Sequence, residues 1–163
     1  MTSIRELLAL GGIPEGGINL LIAGDTEHKA PRFQPLLDPS TTEELGRRLA
    51  GEVSRLQPDR LLIAGEATDE ILAFVVGREL GCDVTVVWSS EGLLRHDGEM
   101  LDGDRVVVIS ESFRLTDSLH GLGSYISYCG ATLAAAAVLI DTPMLQREAA
   151  DLGVQTIALV GGH

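Results

Sequence analysis

Apolar runs that alternate with helical segments constrain the fold of this chain more than any other sequence feature. The runs cover residues 61–64, 84–88, 106–109, 132–140 and 154–160. Apolar runs of this length, without alternating polar positions, are typical of strands that are buried on both faces, and such strands occur in parallel sheets. We therefore predict an α/β fold, in which a parallel sheet is covered by helices on both faces.

The segments between these runs carry the periodicity and the end signals of helices. Apolar residues recur at helical spacing in residues 2–10, 45–56, 68–80, 119–128 and 145–152. Ser40 and Thr41, with Glu43 and Glu44 three residues later, predict a double capping box and a helix that begins there. The polar, glycine-punctuated residues 92–103 are predicted to form a mobile loop, and the proline-rich residues 24–38 an irregular lobe.

Composition narrows the class of protein. A chain of 163 residues fits a single domain, residues 1–163. Its net charge of −12 disfavours nucleic acid and anionic membranes as partners, because the average field repels phosphate groups. No apolar run approaches the length of a membrane span and no signal-type segment is present, so a cytoplasmic location is expected. Cys82 and Cys129 belong to no metal or disulfide pattern and are expected to be buried hydrophobic residues.

The sequence lacks the motifs of several enzyme families. No Walker sequence occurs and no Gly-x-Gly-x-x-Gly follows a strand, which disfavours the binding of nucleoside triphosphates and dinucleotides. Residues 121–124 do not form a nucleophile elbow, so hydrolase chemistry has no support. The histidines lack the spacing of metal ligands, and no metal site is predicted from the residues themselves.

Acidic and hydroxyl side chains follow three of the predicted strands. They lie in residues 65–70, 110–118 and 141–142. Because ligands bind beyond the carboxyl ends of the strands in a parallel sheet, these loops predict a cleft for a small molecule at that edge.

The order of these loops resembles a known family. The chain resembles the type I phosphoribosyltransferases, and most closely the orotate phosphoribosyltransferases, in four successive segments. These are a strand with residues 64–73, residues 91–95, the lead-in strand 103–109 and the loop 110–119. The similarity runs from residue 60 to residue 143, with an upstream hood at about residues 18–39 and a core at about 40–163. It implies phosphoribosyl pyrophosphate as donor, Mg²⁺ as cofactor, and a homodimer or a pairing with a related transferase.

The resemblance also assigns candidate roles to individual residues. As catalytic residues it implies Glu111 in the strand-end motif and Arg95 and His96 in the mobile loop. The implied ligand-binding residues lie in the ribose and phosphate motif, the pyrophosphate loop and the hood, and they are Ser110, Arg114, Thr116, Asp117, Ser118, Thr68, Asp69, Glu70, His28 and Lys29.

This chain departs from the family pattern where phosphate groups would bind. The adjacent acidic pair is reduced to Ser110 and Glu111, and the loop 114–118 has lost its glycines and carries Asp117. Glycines let a backbone approach an anion closely, whereas a carboxylate repels it. Asp69 and Glu70 stand where the family usually has a glycine pair. A carboxylate and a phosphate are like charges, and at about 4 Å they repel by about 4 kcal/mol at an effective dielectric near 20.

Simpler interpretations exist for most of these residues. Glu111 is either the surviving ribose carboxylate or a polar residue at a strand end. Asp69 and Glu70 either form a changed ligand loop or complement the dipole of the helix that follows. Thr68 fits an N-cap better than a ligand, and Arg114 either contacts phosphate or pairs with Asp117. Trp88 ends a strand, where it either packs in the core, as we expect, or forms the wall of a pocket or an interface.

Together these features predict a phosphoribosyltransferase-like protein with a degraded or repurposed donor site. We expect a non-catalytic protein that binds a ligand or regulates a partner. The alternative is an active, Mg²⁺-dependent phosphoribosyltransferase with an altered phosphate loop, which uses orotate or a related base. A flavodoxin-like regulatory domain ranks last, since the chain lacks adjacent aspartates early in its sequence.

Overall fold

The computed structural model describes residues 1–24, 31–114 and 118–161. The helices in these ranges are α1 (Ile4–Leu10), α2 (Glu15–Ile22), α3 (Pro39–Val53), α4 (Ala67–Leu80), α5 (Leu119–Tyr128) and α6 (Pro143–Leu152), with a 3₁₀ turn at Ser54–Leu56. The strands are β1 (Arg60–Ile63), β2 (Asp83–Ser90), β3 (Leu93–Asp97), β4 (Arg105–Ser110), β5 (Thr132–Ile140) and β6 (Gln155–Val160). No helix within the described ranges is both long enough and apolar enough to span a membrane.

The strands form one sheet in the order β3-β2-β1-β4-β5-β6. All neighbouring pairs are parallel except β2 and β3, which are antiparallel. The predicted α/β class is therefore confirmed, with an antiparallel strand added at one edge. The prediction of a mobile loop over residues 92–103 was wrong for residues 93–97, which pair with β2 in register from Leu93 opposite Ser90 to Asp97 opposite Val86.

Helices cover the two faces of the sheet, as the apolar strands predicted. On one face, α1 to α4 pack against alternate residues of the strands, including Leu61, Val107 and Ala137. On the other face, α5 and α6 pack against the residues between them, including Leu62 and Val108. Both faces of β1 and β4 are therefore buried, because residues on a strand point alternately to its two sides.

Helix α3 starts earlier than its capping signal indicated. The N-cap is Asp38, whose Oδ1 accepts a hydrogen bond from the backbone nitrogen of Thr41 at 3.2 Å. The predicted capping box at Ser40 and Thr41 was wrong, because Pro39 takes the first helical position. Proline suits that position, since its fixed φ is helical and it has no N–H group to satisfy.

Glycines allow two close approaches that shape the molecule. A Cβ atom at Gly46 of α3 would lie 2.5 Å from Cγ1 of Val75 in α4, so the glycine lets these helices pack tightly. Gly65, directly after β1, has φ +76°, and a Cβ atom there would lie 3.2 Å from the carbonyl oxygen of Val87. That positive φ turns the chain from β1 toward α4 at the edge where the cleft lies.

Candidate functional site

The described part of the chain has a cleft of about 310 Å³ at the carboxyl ends of β1, β2 and β4. Its walls come from these strand ends, from β3, and from the starts of α4 and α5: Ala64, Glu66, Asp69, Val87, Trp88, Ser89, Leu94, Val108, Ile109, Ser110, Phe113, Ser118, Gly121 and Leu122. The position agrees with the rule that ligands bind beyond the carboxyl ends of parallel strands. The volume lies within the range of small-molecule pockets.

The described walls of this cleft carry carboxylates and hydroxyls but no cationic side chain. Glu66 and Asp69 supply the carboxylates, and three serines supply the hydroxyls. Asp69 is buried, and its Oδ1 accepts a hydrogen bond from the backbone nitrogen of Glu111 at 2.9 Å. Glu66 is exposed at the N-cap of α4, where its side chain makes no capping hydrogen bond. Among the described residues, the side chains that line the cleft therefore carry acidic groups and no basic ones.

Glu111 does not line the cleft. It is buried beneath the segment that precedes α3, and its Oε2 accepts a hydrogen bond from the backbone nitrogen of Phe33 at 2.5 Å. Its Oε1 accepts hydrogen bonds from Nε and Nη2 of Arg114 at 3.2 and 2.9 Å, and Nη1 of Arg32 lies 3.8 Å away. Burial raises the pKa of Glu111, and the attraction of Arg114 only partly offsets it.

Arg114 is held by the same contacts. Its side chain is buried, and Nη2 also donates to the carbonyl oxygen of Pro31 at 3.0 Å. The guanidinium therefore joins the loop after β4 to the segment before α3. The sequence left open whether Arg114 pairs with Asp117 or contacts phosphate, and the described contacts show a third partner, Glu111.

The start of α5 is occupied by a carboxylate of the chain itself. The backbone nitrogen of Leu119 donates to Oε2 of Glu148 at 2.7 Å, and Nδ1 of His120 lies 3.1 Å from Oε1 of that residue. Ser118 is the N-cap, and its Oγ accepts from the nitrogen of Gly121 at 3.0 Å. Both groups use amide donors that a helix N-terminus would otherwise offer to an anion.

The other predicted site residues are spread around the cleft. Ser110 and Ser118 line it, whereas Thr68 and Glu70 lie in the first turn of α4 outside its walls. The N-cap of α4 is Glu66, so the interpretation of Thr68 as an N-cap was wrong.

Arg95 and His96, predicted to lie in a mobile loop, belong to β3 and do not line the cleft. Nδ1 of His96 lies 2.6 Å from the hydroxyl of Tyr125, and Arg95 borders a neighbouring depression next to α5. His28, Lys29, Thr116 and Asp117 lie outside the described residues, and their roles stay predictions.

Sequence reasoning missed several residues of the site. Trp88, expected in the core, is 38% exposed and forms a wall of the cleft. Away from the cleft, the two cysteines are half-buried, whereas the sequence predicted that they would be buried. Glu66 follows the same strand end as Asp69, so its position in the loop was a usable signal. Glu148 gave none, because nothing local in α6 indicates that its carboxylate reaches the start of α5.

The residues that the structure describes do not form a metal site. Among residues 1–24, 31–114 and 118–161, no three His, Cys, Asp or Glu side chains converge in a way that could hold an ion. Asp69 binds the amide of Glu111, and Glu111 pairs with Arg114. Mg²⁺ would therefore have to arrive with its substrate.

The sheet order, the helical layers and the cleft define the fold of the type I phosphoribosyltransferases. A phosphoribosyltransferase from Corynebacterium diphtheriae superposes with a TM-score of 0.71 at 17% identity, over 99% of this chain and 96% of that one. Adenine phosphoribosyltransferase from Thermoanaerobacter pseudethanolicus gives 0.69 at 17% identity, over 90% and 99%. Orotate phosphoribosyltransferase from Mycobacterium tuberculosis, in complex with inorganic phosphate, gives 0.66 at 15% identity, over 90% and 86%.

The likeness is one of fold. No protein-family profile matches the sequence, and no curated protein sequence matches it. A fold shared at this level of identity hosts different functions, so the function has to be argued from the cleft.

Proposed function

We propose that this chain is a phosphoribosyltransferase-like protein that binds a small neutral or cationic molecule in its cleft and does not transfer phosphoribosyl groups. The observation that carries the proposal is the pairing of Glu111 with Arg114. The carboxylate that the resemblance assigns to ribose and the guanidinium that it offers to phosphate bind each other, and neither lines the cleft.

The charge of the cleft supports the same proposal. Phosphoribosyl pyrophosphate is strongly anionic, and the described walls present Glu66 and Asp69 without a cation. At the start of α5, Glu148 already accepts a hydrogen bond from the first amide. An anionic donor would therefore meet like charges where the family resemblance places its phosphates.

The pairing of Glu111 with Arg114 also resists simple rearrangement. Separating the two groups would break a buried ion pair, which typically costs about 3–5 kcal/mol. A donor that recruited Glu111 would also break its hydrogen bond with the nitrogen of Phe33. Its binding energy would first have to offset both losses.

A second candidate, an active phosphoribosyltransferase with an altered phosphate loop, rests on the hydroxyls of the cleft. Ser110 and Ser118 line it at the end of β4 and at the start of α5, which are the places where the resemblance puts ribose and phosphate. In that case Mg²⁺ would bridge donor and protein carboxylates, as it commonly does in phosphate sites.

Isothermal titration of phosphoribosyl pyrophosphate, with and without Mg²⁺ at moderate salt, separates the two functions. We expect no heat of binding in either condition, while an active phosphoribosyltransferase titrated in parallel binds the donor. Mg²⁺-dependent binding at micromolar strength would contradict the proposal and favour the transferase. In that event a screen of orotate and other bases for release of pyrophosphate would follow.

A further inference from the structure

The cleft combines an apolar aromatic wall with a carboxylate at its rim that has no partner among the described residues. We propose that its ligand is an organic cation, an ammonium group carried on a flat apolar body. This inference rests on the proposed function and narrows it, because that function admits neutral ligands as well.

The apolar walls come from four elements. Trp88 of β2, Leu94 of β3, Phe113 after β4 and Leu122 of α5 surround the space together with Val87. Trp88 and Leu94 are each 38% exposed, so a ligand would remove apolar surface from water. Burying such surface stabilises a complex by about 25 cal/mol per Å². A flat hydrocarbon body fits these walls better than a sugar phosphate does.

The rim carries a carboxylate that is available for a ligand. The carboxylate of Glu66 is exposed and makes no hydrogen bond or ion pair with any residue in the described ranges. An ammonium group on a ligand can therefore pair with Glu66 without displacing a contact that the protein already has. Aromatic rings add to this preference, because a cation next to the face of an indole is attracted by its π electrons.

The two helix N-termini at the cleft do not make its described walls favourable for an anion. A helix N-terminus is equivalent to about half a positive charge. At α4, the acidic side chains of Glu66 at the N-cap and Glu70 in the first turn outweigh that partial charge. At α5, Glu148 accepts from the first amide of the helix and Ser118 from the third. Neither helix therefore offers the cleft the site for an anion that its position would suggest.

The proposal excludes two simpler occupants. A bare metal ion lacks a ligand set, since no three His, Cys, Asp or Glu side chains of the described residues converge. An anion lacks a partner, since no lysine, arginine or histidine lines the described walls. An ammonium group needs only a carboxylate and a surface for the rest of the molecule, and the cleft has both.

A matched set of three probes tests the inference. Phenethylamine, phenethyl alcohol and hydrocinnamate carry the same phenyl ring and differ in charge, being cationic, neutral and anionic at neutral pH. Trp88 is the single tryptophan of the chain, so its emission reports occupancy of the cleft. Calorimetry of the same mixtures provides a second readout. The variants are Glu66→Gln and, as a control with the same change of charge, Glu99→Gln, an exposed residue outside the walls.

We expect the amine to bind about tenfold more tightly than the alcohol, and hydrocinnamate to bind more weakly than both. Glu66→Gln should reduce the advantage of the amine to about threefold, whereas Glu99→Gln should leave it unchanged. Equal binding of the three probes, tighter binding of hydrocinnamate, or no binding of the amine by emission and heat would overturn the inference.

The same assay distinguishes failure of this inference from failure of the proposed function. If phosphoribosyl pyrophosphate with Mg²⁺ shifts the emission of Trp88 and binds, both the proposed function and the organic cation are wrong. If phenethyl alcohol binds at least as tightly as the amine and the donor does not bind, the proposed function stands and only the class of ligand is wrong.

Discussion

The Oε2 atom of Glu111 lies 2.5 Å from the backbone nitrogen of Phe33, a residue 78 positions earlier in the chain. The backbone nitrogen of Glu111 donates a hydrogen bond to the carboxylate of Asp69, and its carbonyl oxygen accepts hydrogen bonds from the backbone nitrogens of Leu139 and Ile140. Glu111 therefore joins α4, β4, β5 and the segment before α3 through its side chain and its own backbone N–H and C=O groups. A residue that holds four segments together is expected to serve the fold.

Glu111→Gln should destabilise the protein by about 3–5 kcal/mol, because it removes the charged side chain that pairs with the buried guanidinium of Arg114. The measurement is the free energy of unfolding in urea. Glu52→Gln is the control, since Glu52 pairs with Arg55 at 3.1 Å on the surface and its loss should cost no more than about 1 kcal/mol. Equal effects of the two variants would show that the buried pair does not stabilise the fold.

Gly46→Ala should destabilise the protein by about 1–3 kcal/mol, because the added Cβ would meet the side chain of Val75 in α4. Gly51→Ala, in the same helix, should stabilise it by about 0.5–1 kcal/mol, since nothing lies within 4 Å of the new Cβ and alanine favours helix. Thermal and urea unfolding of both variants measure the difference. Opposite signs are expected, and a gain of stability in both would contradict the close packing of α3 and α4.

Asp104→Asn should destabilise the protein by about 2 kcal/mol at neutral pH and by less in acid. Burial alone would raise the pKa of Asp104, but hydrogen bonds from Nε of Arg60 at 2.9 Å and from the nitrogen of Leu101 outweigh it and lower the pKa. The stabilisation is therefore complete above the ordinary pKa of 3.8 and is lost as pH falls through the lower folded value. Urea unfolding at several pH values down to about 3 measures this convergence. A difference that is independent of pH would contradict it.

Tyr125→Phe should destabilise the protein by about 1 kcal/mol, because it removes the hydroxyl that lies 2.6 Å from Nδ1 of His96 and links α5 to β3. Tyr128→Phe is the matched control, since that ring is 86% exposed and stacks on Tyr125. Unfolding in urea compares the variants. If both behave like the wild type, the contact between the edge strand and α5 contributes nothing to stability.

The sequence predicted the strands that have two buried faces, and it missed the one that has none. Leu61, Leu62 and Ile63 are all fully buried, and such a run has an unmistakable apolar pattern. Residues 93–97 are exposed except for His96, so no periodic signal marks β3. An edge strand pairs through its backbone, and backbone hydrogen bonds leave no trace in the choice of side chains.

The candidate site was predicted only as a region. Parallel topology places the loops after β1, β2 and β4 at one edge, and that rule needs no side-chain detail. Which polar side chains line the cleft depends on partners far away in sequence. Glu111 turns toward Phe33 and Glu148 reaches Leu119, and neither choice has a local signature.

The long strand β5 carries four successive alanines, residues 134–137, and the last three are fully buried. Ala135 and Ala137 face the layer of α3, while Ala136 faces the layer of α5. The two layers thus rest on methyl groups at the middle of the sheet. Replacing large residues with alanine, the usual scan of a core, would find nothing along this stretch. Substitutions to larger residues would instead disturb the packing. Ala136→Val would push α5 away from the sheet and would move Gly121 and Leu122, which line the cleft.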